Sequence, residues 1–79
     1  MNKQMFEKCK TAALGGWEAM SVMSTSESLA AALVCSRCDW LTRLGYTIPE
    51  ALTRVGEWAQ DVSAVASELE AEGLLPMHN

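Results

Sequence analysis

The chain has 79 residues, of which 49% are hydrophobic and 20% charged, and its formal net charge is −4 at neutral pH. This composition is too apolar for a disordered chain and predicts one small globular domain, residues 1–79, with a thin core. The acidic balance disfavours nucleic acid as the default partner, because phosphate binding needs an excess of basic residues.

The sequence contains no recognisable targeting or membrane segment. A membrane span needs about 18 consecutive apolar residues, and no apolar run approaches this length. The lysines near the N-terminus are not followed by the apolar core of a signal peptide. A cytoplasmic location without membrane association is therefore the expectation. Three cysteines in a helical pattern do not suggest a disulfide framework, so reduced thiols are expected.

The first predicted helix covers residues 3–23, because its apolar side chains fall within less than half of the helical circumference. Gly15 and Gly16 weaken it, since each glycine costs about 1 kcal/mol relative to alanine, and the pair is a place where two shorter helices would separate. The apolar face keeps its phase across this pair. One continuous helix is therefore the preferred interpretation.

The second predicted helix covers residues 25–44. Ser24 is followed three residues later by Glu27, which is the pattern of a capping box, and an Ala- and Leu-rich run comes next. Gly45 is the expected C-terminal residue of this helix. Only Gly45 and Tyr46 separate it from the cap of the next helix, so a tight hairpin or corner is expected.

The third predicted helix covers residues 48–72 and carries the longest apolar pattern. Thr47 and Glu50 form a second capping box, Pro49 lies in the first turn, and Gly73 suits the left-handed position after the helix. The apolar positions recur with helical spacing over more than three heptads: Ile48, Ala51, Leu52, Val55, Trp58, Ala59, Val62, Val65, Ala66 and Leu69.

Three helices of about 20 residues with short connections predict an all-α fold, a small three-helix bundle. The six residues after Gly73 show no periodicity. Either they fray, or Leu74 and Leu75 pack back on the bundle.

Arg37 and the tryptophans are the first candidate partner-binding residues. On a continuous second helix Arg37 falls between two apolar rows, so it is expected to reach the edge of the core, to pair with an acidic residue of the third helix, or to bind a partner's carboxylate or phosphate from a groove. Trp17, Trp40 and Trp58 lie on core faces. Trp58 is also a candidate contact, because tryptophan is frequent in interface hot spots.

Acidic residues are concentrated in the third helix. Such a run is usually a solvated face, but it also suits docking on a basic surface, including one that normally holds nucleic acid. Glu57, Asp61 and Glu68 are the candidate contacts of this kind.

Small residues beside the apolar face of the third helix predict a symmetric homodimer in which two such helices pack closely. The candidate interface consists of Val55, Gly56, Ala59, Ser63 and Ala66.

Cys35 and Cys38 form the only motif that suggests a cofactor. A redox CxxC pair normally begins a helix after a strand, whereas this pair is predicted to lie within a helix. Cys9 and His78 would be needed to complete a zinc site, and structural zinc sites normally use two closely spaced pairs. Inert buried thiols, and no metal or cofactor, are the preferred interpretation.

Residues 41–58, with Leu-Gly-Tyr-Thr at the corner, resemble a DNA-reading helix-turn-helix and, more loosely, the helical corners of ubiquitin-associated domains. The resemblance implies that Glu50, Thr53, Arg54 and Glu57 would face the DNA groove. Two acids against one base do not suit phosphate contact, and the likeness covers about a quarter of the chain, so it supports no family assignment.

The sequence contains no arrangement of nucleophile, base and metal ligands typical of an enzyme. The preferred interpretation is a non-enzymatic protein-binding module, a small inhibitor or adaptor acting on a larger cytoplasmic protein. Small accessory proteins of phages and plasmids have a similar composition, which makes such an origin an expectation by analogy. A helix-turn-helix transcriptional regulator is the alternative.

Overall fold

A computed structural model describes residues 2–75 of the chain. The helices are α1 (Lys3–Ser21), α2 (Thr25–Val34), α3 (Cys38–Leu44), α4 (Ile48–Val55), a 3₁₀ helix (Gly56–Asp61) and α5 (Val62–Ala71). All regular structure in the described range is helical, which confirms the all-α fold and the small helical bundle. None of these helices combines the length and the apolar character that crossing a bilayer requires.

Both predicted capping boxes are present. The Ser24 hydroxyl accepts a hydrogen bond from the Glu27 N–H at 3.2 Å, and the Glu27 carboxylate accepts one from the Ser24 N–H at 3.1 Å. The corresponding distances between Thr47 and Glu50 are 3.2 and 2.9 Å. Gly45 ends α3 in the left-handed conformation, so the predicted tight corner before α4 is confirmed.

The first helix is kinked, contrary to the preferred interpretation of one continuous helix. Gly16 has φ 71° and ψ −156°, which is a conformation that only glycine adopts readily. An alanine Cβ at Gly16 would meet no heavy atom within 4 Å, so the backbone conformation and not crowding requires glycine here. Helical periodicity continues on both sides of the kink, which is why the pattern alone did not reveal it.

The second predicted helix is interrupted after Val34. Ser36 adopts φ 55°, and the N–H groups of Ser36 and Arg37 bond to the carbonyls of Leu33 and Ala32 at 3.2 and 2.9 Å. These two bonds form a Schellman motif, which ends α2 and allows α3 to start in a new direction. The prediction missed this end because the left-handed residue is serine and not glycine.

The third predicted helix is interrupted at Gly56, which has φ 61° and ψ −126°. The 3₁₀ helix follows, and α5 therefore takes a new direction. The core receives Ala51 and Val55 from α4, while the predicted core residues Ile48 and Leu52 are 48% and 39% exposed. The single apolar face expected along residues 48–72 is thus replaced by two shorter faces.

Helix α2 lies at the centre of the bundle and contacts α1, α3, α4 and α5. Leu29, Ala30, Ala31 and Ala32 are wholly buried, so this helix has apolar contacts around its whole circumference. Within residues 2–75 the one buried polar side chain is Ser28, whose hydroxyl donates to the Met20 carbonyl at 2.9 Å. This bond satisfies the hydroxyl and joins α2 to the end of α1.

The tryptophans have different surroundings. Trp40 is buried, whereas Trp17 and Trp58 are half-buried against the core. The Arg43 guanidinium lies 3.7 Å from the centroid of the Trp17 ring and connects α3 to α1 through a cation–π contact. Core packing is therefore the main role of Trp40, while each of the others keeps an accessible edge.

The segment after α5 folds back on the bundle. The Leu74 N–H bonds to the Leu69 carbonyl at 2.9 Å, and Leu74 and Leu75 are half-buried against the core. The Lys10 ammonium pairs with the Glu72 carboxylate at 3.3 Å and connects α1 to this turn. Of the two alternatives for the tail, the packing of its leucines is the observed one, while residues 76–79 lie outside the described range.

Candidate functional site: a groove between the first and last helices

A cavity of about 720 Å³ opens between α1, α5, the α2–α3 link and residues 74–75. We call it the groove. Its walls consist mainly of small or aliphatic side chains, among them Ala12, Ala13, Gly16, Leu33, Val62 and Ala66. The volume lies within the range of about 300–1,000 Å³ that is typical of ligand pockets.

The groove exists because its walls are built from small side chains. Ala12, Ala13 and Gly16 present little bulk from α1, and Ala66 faces them from α5. The kink at Gly16 and the break at Gly56 set the directions of the two helices. Leu74 and Leu75 also line the cavity and are half-buried against the core.

Arg37 lies on the groove wall, but in a different setting from the predicted one. It is the exposed residue preceding α3, not a residue within a continuous helix, and it pairs with Asp39, not with an acid of the third predicted helix. Its guanidinium carbon lies 4.5 Å from the centroid of the Trp40 ring. The hydrogen bonds that Arg37 donates to the Asp39 carboxylate raise the pKa of Arg37 and lower the pKa of Asp39.

Glu70 is the acidic residue of the groove wall and is half-buried. The ion pairs within residues 2–75 involve Glu27, Asp39 and Glu72, so Glu70 has no cationic partner in the described chain. Ser63 and Ser67 line the same wall, four residues apart on α5. The wall that α5 provides therefore combines two hydroxyl groups with one negative charge that has no ion-pair partner in residues 2–75.

The predicted partner-binding residues other than Arg37 do not share one helical face. Glu57, Trp58 and Asp61 belong to the 3₁₀ helix, while Glu68 is an exposed residue of α5. The change from the 3₁₀ helix to α5 at Val62 separates Glu68 from the other three. None of these four residues lines the groove.

The predicted dimer residues are also divided. Val55 is 7% exposed and belongs to the core, so it presents little surface for contact between chains. Gly56 is exposed and Ala59 is half-buried, whereas Ser63 and Ala66 line the groove. The structure thus brings together Arg37, Ser63 and Ala66 from the predicted sets, and it separates the others from them.

The three cysteines occupy three environments: Cys9 is buried, Cys35 is half-buried on the groove wall, and Cys38 is exposed. The prediction that Cys35 and Cys38 lie within one helix is wrong. They lie on opposite sides of the α2–α3 break. Burial raises the pKa of Cys9 from 9.0 to about 12 and that of Cys35 to about 11. Both thiols are therefore protonated and weakly nucleophilic at neutral pH.

No group of three or more metal-ligating side chains lies together within residues 2–75. His78, which the zinc alternative required, lies outside this range. The polar residues that line the groove include three serines, Arg37 and Glu70. No histidine in residues 2–75 lies beside these serines.

The corner that resembles a helix-turn-helix has a separate surface. Tyr46, Pro49, Glu50, Thr53 and Arg54 line a shallow depression of about 400 Å³ on α4. Ile48 and Leu52 are also exposed on this helix. The exposed part of α4 therefore combines apolar residues with one acid and one base.

The sequence did not indicate the groove, because its walls come from segments far apart in the chain. Ala12, Ala13, Ser36 and Ser67 carry no individual signal, and Glu70 was only one member of an acidic run. The chain matches no protein-family model, no curated protein and no solved structure.

Proposed function

We propose that this protein is a non-enzymatic protein-binding module, a small inhibitor or adaptor that acts on a larger cytoplasmic protein through the groove. The observation that carries the proposal is an open, mainly apolar cavity of about 720 Å³ in a chain of only 79 residues. Apolar concavities of this kind are where partners and ligands bind, since covering them removes apolar surface from water.

The chemistry of the groove supports binding over catalysis. The Cys35 thiol is protonated, and Asp39 occupies two donor groups of Arg37. The serines of the wall have no histidine or lysine beside them among the residues that line the groove, and such a base is what usually activates a serine nucleophile. A phage or plasmid origin is part of the proposal only by analogy of composition.

A DNA-binding regulator receives less support. Its reading helix would be α4, which exposes Ile48 and Leu52 and carries Glu50 beside Arg54. Apolar and acidic side chains suit a protein surface better than a phosphate backbone.

Capture of partners from the native host, with two matched variants, tests the proposal. Ala66→Arg places a long charged side chain in the groove, whereas Ala64→Arg makes the same change at an exposed position of α5 outside it. The wild type and Ala64→Arg should capture the same protein, and Ala66→Arg should lose it while keeping its circular dichroism spectrum. Equal capture by both variants would show that the groove is not the contact surface.

Binding to duplex DNA at low and moderate salt tests the alternative. Phosphate-mediated binding weakens steeply as salt rises. Tight, salt-sensitive binding by the wild type and by Ala66→Arg would favour the regulator over the protein-binding module.

The homodimer is an alternative use of the groove, because two of its predicted interface residues, Ser63 and Ala66, line the groove wall. Ser63 and Ala66 are accessible from the groove, and Ala59 is half-buried, so a second chain has small residues to pack against. Ala59→Arg should then convert a dimer to a monomer with most of its helicity retained. Sedimentation of the unmodified protein as a monomer at concentrations of about tens of micromolar, well above typical dissociation constants of stable dimers, would exclude the dimer.

A further inference from the structure

We propose that the groove binds an amphipathic helix of the partner, with aliphatic side chains on the buried face and a lysine or arginine at the edge that meets Glu70. This inference rests on the proposed function and adds the chemistry of the partner segment. It follows from three properties of the described residues: the size of the side chains on the walls, the charge of the groove, and the absence of a strand edge.

The walls are suited to a bulky secondary-structure element. Ala12, Ala13, Gly16 and Ala66 line the groove with little side-chain volume, so a partner's backbone can approach closely. Leu33 and Val62 add apolar surface to the lining. Aliphatic side chains of a partner would therefore fill the cavity, and their burial would provide most of the binding free energy.

The charged residues that line the groove are Arg37 and Glu70, and only Glu70 is left without an ion-pair partner in residues 2–75. Arg37 is bound by Asp39 through two hydrogen bonds of 2.9 and 2.7 Å, so these two charges cancel locally. Lys10 is paired with Glu72 near the end of α5. Glu70 has no such partner in residues 2–75, and a cation from the bound segment would supply one.

The same charge pattern disfavours an apolar anion such as a fatty acid. Its carboxylate would lie near Glu70 and would have to displace Asp39 from Arg37. A second copy of this chain is disfavoured too, because each chain carries a net charge of −4.

A helical segment fits better than an extended one. Recognition of an extended peptide by strand addition needs an exposed sheet edge, and residues 2–75 contain no strand. Binding of a helix depends on side chains that enter an apolar groove, which is the type of surface that α1 and α5 provide.

Two synthetic peptides test this inference. The first is an amphipathic peptide of leucine, alanine and lysine, and the second has glutamate at every lysine position. Each carries a fluorescent label, and fluorescence anisotropy measures its binding to the full chain. The lysine peptide should bind and gain helical circular dichroism on binding, and the glutamate peptide should bind at least about tenfold more weakly, because several like charges are brought near the groove.

Two variants with the same change of charge locate the contact. Glu70→Gln should weaken binding of the lysine peptide by about two- to fivefold, which is typical of one partly exposed ion pair, and the effect should shrink at high salt. Glu68→Gln removes a charge from the same helix at an exposed position outside the groove and should change binding less than Glu70→Gln. Equal effects of the two variants, or equal binding of the two peptides, would overturn the inference.

The variants of Ala66 and Ala64 separate this inference from the proposed function. Ala66→Arg should abolish binding of the lysine peptide, and Ala64→Arg should not. If neither peptide binds but Ala66→Arg still loses the host partner, the inference is wrong and the protein-binding module stands. If the wild type self-associates and Ala66→Arg is monomeric, a second copy occupies the groove and the amphipathic helix is excluded. If Ala66→Arg affects neither peptide nor partner, both proposals fail.

Discussion

Arg37 donates two hydrogen bonds to the carboxylate of Asp39, from Nε to Oδ1 at 2.9 Å and from Nη2 to Oδ2 at 2.7 Å. The pair spans the first turn of α3, where a carboxylate is also favoured by the helix dipole. The cation at the edge of the groove is therefore neutralised within the chain. The electrostatic character of the groove depends on Glu70 as a result.

The kink in α1 determines whether Gly16→Ala raises or lowers the stability of the protein. In a continuous helix, Gly16→Ala would stabilise the protein by about 1 kcal/mol because alanine has the higher helix propensity. At φ 71° and ψ −156° the same change should instead destabilise it by about 1–3 kcal/mol, since an L-residue is strained there. Thermal unfolding followed by circular dichroism measures the difference, and about 4–8 °C of Tm is expected for each kcal/mol.

Gly45→Ala is the matched control for this prediction. Gly45 also has a positive φ, but its φ 83° and ψ 28° lie in the left-handed helical region, where the penalty for an L-residue is about 1–2 kcal/mol. The loss should therefore be larger for Gly16→Ala than for Gly45→Ala. A gain in Tm for Gly16→Ala would contradict the kink.

The capping box at the start of α2 should contribute measurably to stability. Ser24→Ala removes the hydroxyl that accepts the Glu27 N–H and should cost about 1 kcal/mol in the free energy of unfolding. Thr25→Ala is the control, because Thr25 is exposed and lies outside the capping box. Urea unfolding should show a lower midpoint for Ser24→Ala only, and equal midpoints for both variants would contradict the cap.

The environments of the three cysteines predict an order of alkylation. Cys38 is exposed, whereas Cys9 is buried and Cys35 is half-buried with a raised pKa. Since the thiolate is the nucleophile, iodoacetamide should modify Cys38 first in the folded protein and all three thiols in denaturant. Mass spectrometry after brief treatment checks this order. Cys38→Ser should remove the fast reaction, and rapid labelling of Cys9 in the folded state would contradict its burial.

The same burial predicts a loss of stability at alkaline pH. The pKa of Cys9 is raised from 9.0 to about 12 in the folded protein, so the thiol ionises more readily in the unfolded chain. Its stabilising contribution is fully present below pH 9.0 and is lost as the pH rises towards about 12. The midpoint of urea unfolding should therefore decrease over this interval.

Cys9→Ala provides the comparison for the alkaline prediction. This variant should be less stable than the wild type at neutral pH because it leaves a small cavity in the core. Its midpoint should nevertheless decrease less between neutral and alkaline pH, since it has no thiol to ionise at that position. Parallel decreases in the two proteins would show that another group causes the loss.

Local sequence determined the helical fold and several of its boundaries. The capping boxes at Ser24 and Thr47 and the left-handed residues Gly45 and Gly73 depend on side chains and backbone preferences within a few residues. Such interactions depend on residues that are close in the chain, so a single sequence is enough to predict them. The apolar periodicity likewise identified Ala51, Val55 and Leu69 as core residues.

Tertiary structure decided where the long helices are interrupted and what surrounds the breaks. Ser36 adopts a left-handed conformation that serine rarely favours, and Gly16 and Gly56 leave the helical region although apolar periodicity continues past them. The conformational free energy that these backbone conformations cost is offset by packing around the central α2. This packing joins residues that are far apart in the chain, so no local sequence pattern reveals it. The groove has the same origin, because Ala12, Ala66 and Glu70 become neighbours of one cavity only after the breaks have redirected the chain.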